Sequence, residues 1–349
     1  MSADLSRLEN LVESFPRQSI VVLGDFVVDR FVTGEISRVS REAPVLILRH
    51  RETEIVPGGG ANAVNNLVSL GARVYPVGAV GDDESGRSLL AYFRRKRVNV
   101  SNVVRVPGRT TPTKTRYLAG WTHKAGQQVL RVDHEPGEAL AASLQRRLAR
   151  KAAQLVRKGS ALLVSDYGFG TAAPGSVRSA RRAAGARKFV VTLDSRYALA
   201  DYRNAGVTAA TPNESELEAL YHTRIANDAA KLERFGKSAL RMMGLEALVV
   251  TRGKDGMVVF QRGEPSQSIP IYGSDEVADV TGAGDTVIAA FTLALAAGAS
   301  FYEAAVLANY AGGIVVMKRG TATVTASELL AALRKEATGG IVQGRSDAR

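Results

Sequence analysis

Apolar, β-rich runs recur along the chain at Ser19 to Leu23, Arg73 to Val77, Ser160 to Ser165, Lys188 to Leu193, Gly206 to Ala209, Ala247 to Thr251 and Met257 to Phe260. Several are continuous rather than alternating, the pattern of strands covered on both faces. Between them, helical spacing predicts Ala61 to Leu70, Gly86 to Lys96, Ala142 to Arg157, Val177 to Ala184, Glu214 to Tyr221, Asp228 to Met243, Thr286 to Ala297 and Phe301 to Met317. Strand and helix in alternation predict a layered, mainly parallel α/β/α sheet. Two segments break the rhythm. Phe26 to Val56 has no helical pattern, and Lys114 to Asp133 alternates around a turn signal at His123 to Gly126. Both read as extended, hairpin-like strands of a small second sheet, a lid over the substrate side.

The length of 349 residues allows two domains or one large α/β domain with an appendage. Without a repeat or long linker, the expected organisation is an N-terminal segment (1–16), one domain over 17–335 with lid segments near 26–56 and 114–133, and a tail (336–349) frayed from Thr338. Cysteine is absent, which removes disulfides, thiolate metal sites and thiol nucleophiles. The four histidines match no metal-binding spacing. The apolar run Val287 to Ala299 is shorter than the roughly 20 residues a bilayer requires. No membrane partner is expected, and the cytoplasm is the expected location.

The net charge of +12 raises the question of nucleic acid. Its carriers are the run Arg94 to Arg97 and the dispersed Arg146, Arg147, Arg150, Lys151, Arg157 and Lys158, which read as solvated helix faces. Aromatics are few and no nucleic-acid reading module is present, so the charge suits an acidic, phosphorylated small molecule instead.

The string Asp279-Val280-Thr281-Gly282-Ala283-Gly284-Asp285-Thr286 runs directly into a helical stretch. Glycines there turn the chain tightly and present bare amides at a helix start, which attracts anions. An acid inside such a turn can take a proton from a hydroxyl while the amides stabilise a phosphoryl group. Asp285 as a plain helix cap is the alternative.

With this string the chain resembles the PfkB-type, ribokinase-like carbohydrate kinases, and Pro57-Gly58-Gly59-Gly60-Ala61-Asn62 is similar to that family's second signature. The resemblance runs from about Ser19 to Leu333 and implies a ribokinase-like α/β fold with ATP and Mg2+ as cofactors. It implies Asp285 as catalytic base and the amides of Gly282, Ala283 and Gly284 as the anion hole. Asn213 and Glu216 match the family's NxxE motif, with Glu216 near magnesium; on its own the string would be a helix cap. Thr251, Gly253 and Gly256 match the turn beside the nucleotide, and Asn309 a position near the adenine. Asp279 and Thr281 match ligands of a monovalent cation such as K+, with others near Arg319, Gly320 and Thr323. Asp29, Gly59, Gly60 and Asn62 match the sugar side, where Asp29 alone would read as a solvated loop acid. Exposed lid strands are expected to pair in a homodimer.

Within the family, the strings Ile36-Ser37-Arg38-Val39-Ser40, Glu42-Ala43-Pro44-Val45, Gln127-Gln128, Arg131-Val132-Asp133, Ser165-Asp166-Tyr167-Gly168 and Gly320-Thr321-Ala322-Thr323-Val324 are most similar to the heptose 7-phosphate kinase branch. That likeness implies phosphorylation of the anomeric hydroxyl of an already phosphorylated sugar. Arg38, Arg116, Arg131 and Arg196 are candidates for clamping its phosphate, or else solvated lid charges. Phe169 stands where the branch carries Lys, and Asp194-Ser195-Arg196 where it carries Asp-Pro-Lys. Either Arg196 compensates or the acceptor is another sugar. No HxGH string is present, so a stand-alone kinase is expected, without nucleotidyl transfer.

Two motifs point elsewhere. Gly58-x-Gly60-x-x-Ala63, with Asp82 and Asp83 further on, satisfies a dinucleotide pattern and keeps an NAD-dependent oxidoreductase as a rival. Gly236-Lys237-Ser238 ends like a P-loop, but Lys231 stands where glycine is needed. A non-catalytic sugar-binding regulator is the third class.

Overall fold

In the computed structural model, residues 4–120, 127–273, 279–318 and 320–337 are described. The turn at His123 to Gly126, Arg319 and the tail from Thr338 lie outside the described residues. Helix α1 (Leu5–Glu13), capped by Asp4, leads into β1 (Ser19–Gly24). Ile20 and Val22 of β1 enter one hydrophobic core while Val21 and Leu23 enter another, so the continuous apolar run is explained by a helical layer on each face.

The chain then leaves the main sheet for β2 (Phe26–Val39) and β3 (Leu46–Gly59), and returns through α2 (Gly60–Ser69), β4 (Arg73–Gly81), α3 (Glu84–Arg95) and β5 (Val103–Val106). A second excursion forms β6 (Thr113–Gly120) and β7 (Gln127–His134). The remainder is α4 (Ala142–Leu155), β8 (Ala161–Asp166), α5 (Pro174–Ala183), β9 (Val190–Ser195), β10 (Ala209–Ala210), α6 (Glu214–Tyr221), α7 (Ala229–Met243), β11 (Ala247–Thr251), β12 (Met257–Gln261), β13 (Gln267–Ile269), α8 (Ala283–Ala296), α9 (Phe301–Val316) and α10 (Ala326–Ala337).

Strand order in the main sheet is β13-β12-β11-β10-β9-β8-β1-β4-β5. It is parallel from β11 through β5, and antiparallel where β12 meets β11 and β13. The chain winds to opposite sides of β1, toward β4 and later toward β8. That reversal opens a crevice at the carboxyl ends of β1 and β8, where ligands bind in such sheets. The lid sheet, ordered β3-β2-β6-β7, overhangs it: β2 and β6 are parallel and the outer pairs antiparallel.

The α/β/α architecture with a small β lid is thus present. Strands β5 and β13 extend it beyond the sequence expectation, being too short to show a pattern. Within residues 4–16, Leu8, Leu11, Val12 and Phe15 are buried in the core, and Glu9 pairs with Arg334 of α10.

Candidate active site

The site is assembled from the start of α8 and the carboxyl ends of β1, β8 and β9. Gly282 caps α8 with φ +78°, a left-handed conformation that glycine adopts without strain. A Cβ there would lie 2.5 Å from the Asn62 Nδ2, so the site also requires its absence sterically. Asp285, one turn into α8, is 3% exposed. The Asn62 amide donates to its Oδ2 at 3.0 Å and the Tyr167 hydroxyl to its Oδ1 at 2.9 Å. Burial pushes this carboxyl up to about 7, although both donors favour its charged form and pull the other way.

Asn62 is itself oriented by Asn66, whose amide donates to the Asn62 Oδ1 at 3.1 Å. Tyr167 is placed by Asp25, a residue only 1% exposed at the end of β1. The Asp25 carboxylate accepts backbone N–H groups from Tyr167 (3.0 Å), Phe169 (2.9 Å) and Thr171 (2.8 Å). Burial raises its carboxyl, and these three amides counter the rise. Gly60 donates to the Asp25 carbonyl at 3.0 Å, and at Gly59 a Cβ would meet Val27 at 2.9 Å and Tyr167 at 3.2 Å. The two glycines therefore let the lid strand lie directly on this clamp.

The three amides expected to form an anion hole are not equally open. The Ala283 N–H donates to the Val280 carbonyl at 3.2 Å and is engaged in the turn. The amides of Gly282, Gly284 and Asp285 have no partner among the described residues, and a Cβ at Gly284 would face open space. Asp279 accepts from the amides of Thr281 (2.8 Å) and Gly320 (3.2 Å), which ties the loop before α8 to the one after α9. The Thr323 carbonyl accepts from the Lys318 ammonium at 2.8 Å. Of the residues matching a monovalent-cation site, the Asp279 carboxylate and the Thr323 carbonyl thus each accept from protein donors.

Asp29, on β2, is buried and paired with Arg116 across the β2–β6 ladder at 2.5 Å. Thr321 donates to its other oxygen at 3.4 Å. Gly58 closes the space beneath it, since a Cβ there would fall 2.5 Å from the carboxylate. Beside it, a cleft of about 290 Å³ is lined by Lys114, Glu135, Tyr167, Phe169, Arg196 and Tyr197. Lys114 lies 5.3 Å over the Tyr167 ring. Burial, followed by the charges of Arg196 and Arg131, holds its ammonium below the usual lysine range.

The four arginines expected to clamp a phosphate do not act together. Arg116 is engaged with Asp29, and Arg131 is held bidentately by Asp133 at 2.8 and 2.7 Å. Arg38 is exposed nine residues up β2 from Asp29, about 30 Å away at a strand's rise, and falls outside the cleft. Arg196 does line it.

On the other side, Asn213 and Glu216 form a capping box at the start of α6, with bonds of 2.8 and 2.9 Å. Burial raises the Glu216 carboxyl. Asp194, at the end of β9, is driven well above the ordinary carboxylate range by burial and then by Glu216 and Asp285. This crowd of acids suits a divalent cation. Among the described residues no three side chains form a ligand cluster, so Mg2+ here would keep most of its waters. Thr251 lies beside Asn213 across a parallel bridge, and Gly253 and Gly256 carry the following turn at φ +55° and +76°. Asn309, buried in α9, donates to the Pro270 carbonyl at 2.8 Å and fixes the segment leaving β13.

Sequence reasoning missed Asp25, Tyr167, Lys114, Asn66 and Asp194. Tyr167 and Asp194 stand in strings the sequence singled out, but burial, and for Tyr167 and Asp25 partners 118 to 146 residues away, carry no local signal. The rival motifs are also settled by placement. The Gly58 to Ala63 string leaves a lid strand rather than a strand of the main sheet, and Asp83 caps α3 and binds Thr111. Lys237 sits inside α7 and pairs with Glu233.

A buried acid at a helix start, open amides beside it and a cleft under a β lid together define a ribokinase-like phosphotransferase acting on a hydroxyl acceptor. Residues 17–328 match the pfkB family carbohydrate kinase description, and the chain belongs to that family. It is 39% identical over 330 residues to the "Bifunctional protein HldE" of Geobacter sulfurreducens, covering 94% of this chain and 64% of that protein. It is 40% identical over 314 residues to the protein of the same name in Geobacter metallireducens, with 90% and 62% covered. The chain thus spans less than two thirds of these relatives. Arabidopsis thaliana ribokinase, solved with ribose and ATP, superposes with a TM-score of 0.69 at 19% identity, covering 91% of this chain and 99% of that one. Escherichia coli phosphofructokinase-2, solved with substrates and products, gives 0.73 at 18% identity, with 92% and 99% covered. These two likenesses establish the fold.

Proposed function

We propose that this carbohydrate kinase uses ATP to phosphorylate the anomeric hydroxyl of heptose 7-phosphate, with Asp285 as general base. The observation that carries the phosphorylated acceptor is the half-buried Lys114 facing Arg196 in the cleft beside Asp29. Cations brought together at the cost of their own charge favour a bound dianion. Lys114 also supplies, from another strand, the ammonium that Phe169 does not. The strings similar to the heptose 7-phosphate kinase branch point the same way.

In this reading Asp29, held by Arg116, accepts hydrogen bonds from sugar hydroxyls, with Gly59 and Gly60 forming the close wall. The acceptor hydroxyl gives its proton to the Asp285 carboxylate as its oxygen bonds the γ-phosphorus and the bond to the β-phosphate oxygen breaks, releasing ADP. The Gly282 and Gly284 amides face the transferring group. Asn213, Thr251, Gly253, Gly256 and Asn309 build the nucleotide side. Glu216 and Asp194 would hold Mg2+ through its waters, and that ion supplies charge neutralisation to the polyphosphate. Closure of the lid excludes water from the transfer. Exposed Val39, Val45, Leu46, Val129 and Leu130 on the lid support a homodimer formed there.

A coupled ADP-release screen of free sugars against sugar phosphates tests the assignment. Turnover is expected with heptose 7-phosphate. A response confined to unphosphorylated pentoses or hexoses rejects that acceptor and leaves the kinase standing.

A further inference from the structure

A second cavity lies away from the cleft, in the groove where α4 runs beside α5. It measures about 420 Å³, within the range of small-molecule sites. Its α4 wall is a single face at helical spacing: Ala142, Arg146, Ala149 and Arg150. The α5 wall is Gly175, Ser176 and Ser179, from that helix's first turns. Small residues on both walls keep the helices from filling the space between them.

Its chemistry is one-sided. Arg146 and Arg150 make no ion pair or hydrogen bond with any described residue, and no carboxylate lines the groove. Ser176 is 4% exposed, yet its hydroxyl has no partner among the described residues. Lining the groove, that hydroxyl is free to donate to an outside acceptor. The α5 start has no side-chain cap and no acid in its first turn, and the Gly175 amide is unpaired among the described residues. Two exposed guanidinium groups, an unpartnered hydroxyl and a helix start all offer donors.

We propose that the α4–α5 groove is a second, non-catalytic binding site for a phosphate monoester, with Arg146 and Arg150 holding the phosphate and Ser176 donating to it. The alanine methyls receive the body of the ligand. Gln145, also in the wall, donates to the Gly170 carbonyl at 3.1 Å, so the ligand lies against the loop that presents Tyr167 to Asp285. None of these residues belongs to the proposed phosphotransfer machinery, and the site stands whichever sugar is the acceptor.

Calorimetric titration with inorganic phosphate tests it on the wild type, on Lys114→Ala, which alters only the cleft, and on Arg146→Ala/Arg150→Ala. A phosphate-binding component that survives Lys114→Ala and weakens at least about tenfold in the double variant is expected. Ser176→Val should weaken the same component, and sugar-kinase turnover of the double variant should equal that of the wild type. Wild-type phosphate affinity in the double variant overturns the proposal. So does loss of the component in Lys114→Ala, which would assign it to the cleft, or a fall in turnover in the double variant, which would assign its effect to the fold.

Discussion

The Asp285 carboxylate takes both of its side-chain donors from distant parts of the chain, Asn62 from α2 and Tyr167 from the end of β8. On the lid, Arg131 is exposed and its carboxylate partner lies two residues along the same strand. The first arrangement is held by the main sheet and the helical layer in which α2 packs against α8. The second has water on its outer side and is held by one antiparallel ladder. Buried, cross-linked geometry tunes a carboxyl and keeps its direction, as proton transfer requires. An exposed ladder can tilt and exchange partners, which suits closure over a substrate. Lys114 stands where the two meet, on a lid strand but against the Tyr167 ring.

Four substitutions break or sharpen this contrast. The largest effect is expected at Asp285→Asn, where turnover should fall at least about a hundredfold while ATP affinity, read by calorimetry, holds. Near wild-type turnover would remove the base from the reaction. Lys114→Ala should lower kcat/KM for a phosphorylated acceptor about tenfold and leave a free sugar unaffected, which steady-state comparison of the two acceptors reads. An equal loss for both would make Lys114 part of the lid's packing instead.

Tyr167→Phe should reduce turnover only about threefold near neutral pH, but it should move the acid limb of the pH profile upward. The proposed base has to be ionised, so activity should rise with pH through about 7, the value to which burial pushes Asp285. Removing a donor to the charged form raises that value further; an unmoved limb would mean that Tyr167 does not touch the base in solution. The same carboxyl titrates near ~3.9 when unfolded, so between there and about 7 the folded state binds a proton the unfolded state does not. Its contribution is therefore full below the lower value and is lost as pH rises through the upper one. Thermal melts across that window should show a downward slope that Asp285→Asn makes shallower, the raised carboxyls of Asp25, Asp194 and Glu216 keeping the rest. Smallest of all, Arg38→Ala at the outer lid should change turnover less than about twofold, and a larger loss would bring that end of the lid into the site.

Much of this architecture was readable before any coordinates. Continuous apolar runs such as Ser19 to Leu23 reveal strands buried on both faces because every side chain must then be apolar. The glycine-rich turn before Asp285 is readable because unpaired amides, a left-handed glycine and a helix start all lie within a few consecutive residues. Arg38 illustrates the limit. Its place on a lid strand is local information, but its distance from Asp29 depends on how long that strand runs before turning.

By itself, the amino-acid order determined the layered sheet, the existence of a lid and the acid-bearing turn, since each arises from neighbours along the chain. Tertiary structure alone decided which cation enters the cleft, which amides stay open and which carboxylate serves only as a clamp. Asp25 and Asp285 are the same residue type, both buried and both raised. One is enclosed by three backbone N–H groups and holds a loop, while the other has two side-chain donors beside a helix start with open amides. The difference lies in the donors that surround each carboxylate, and those donors come together only when segments far apart in the chain pack side by side.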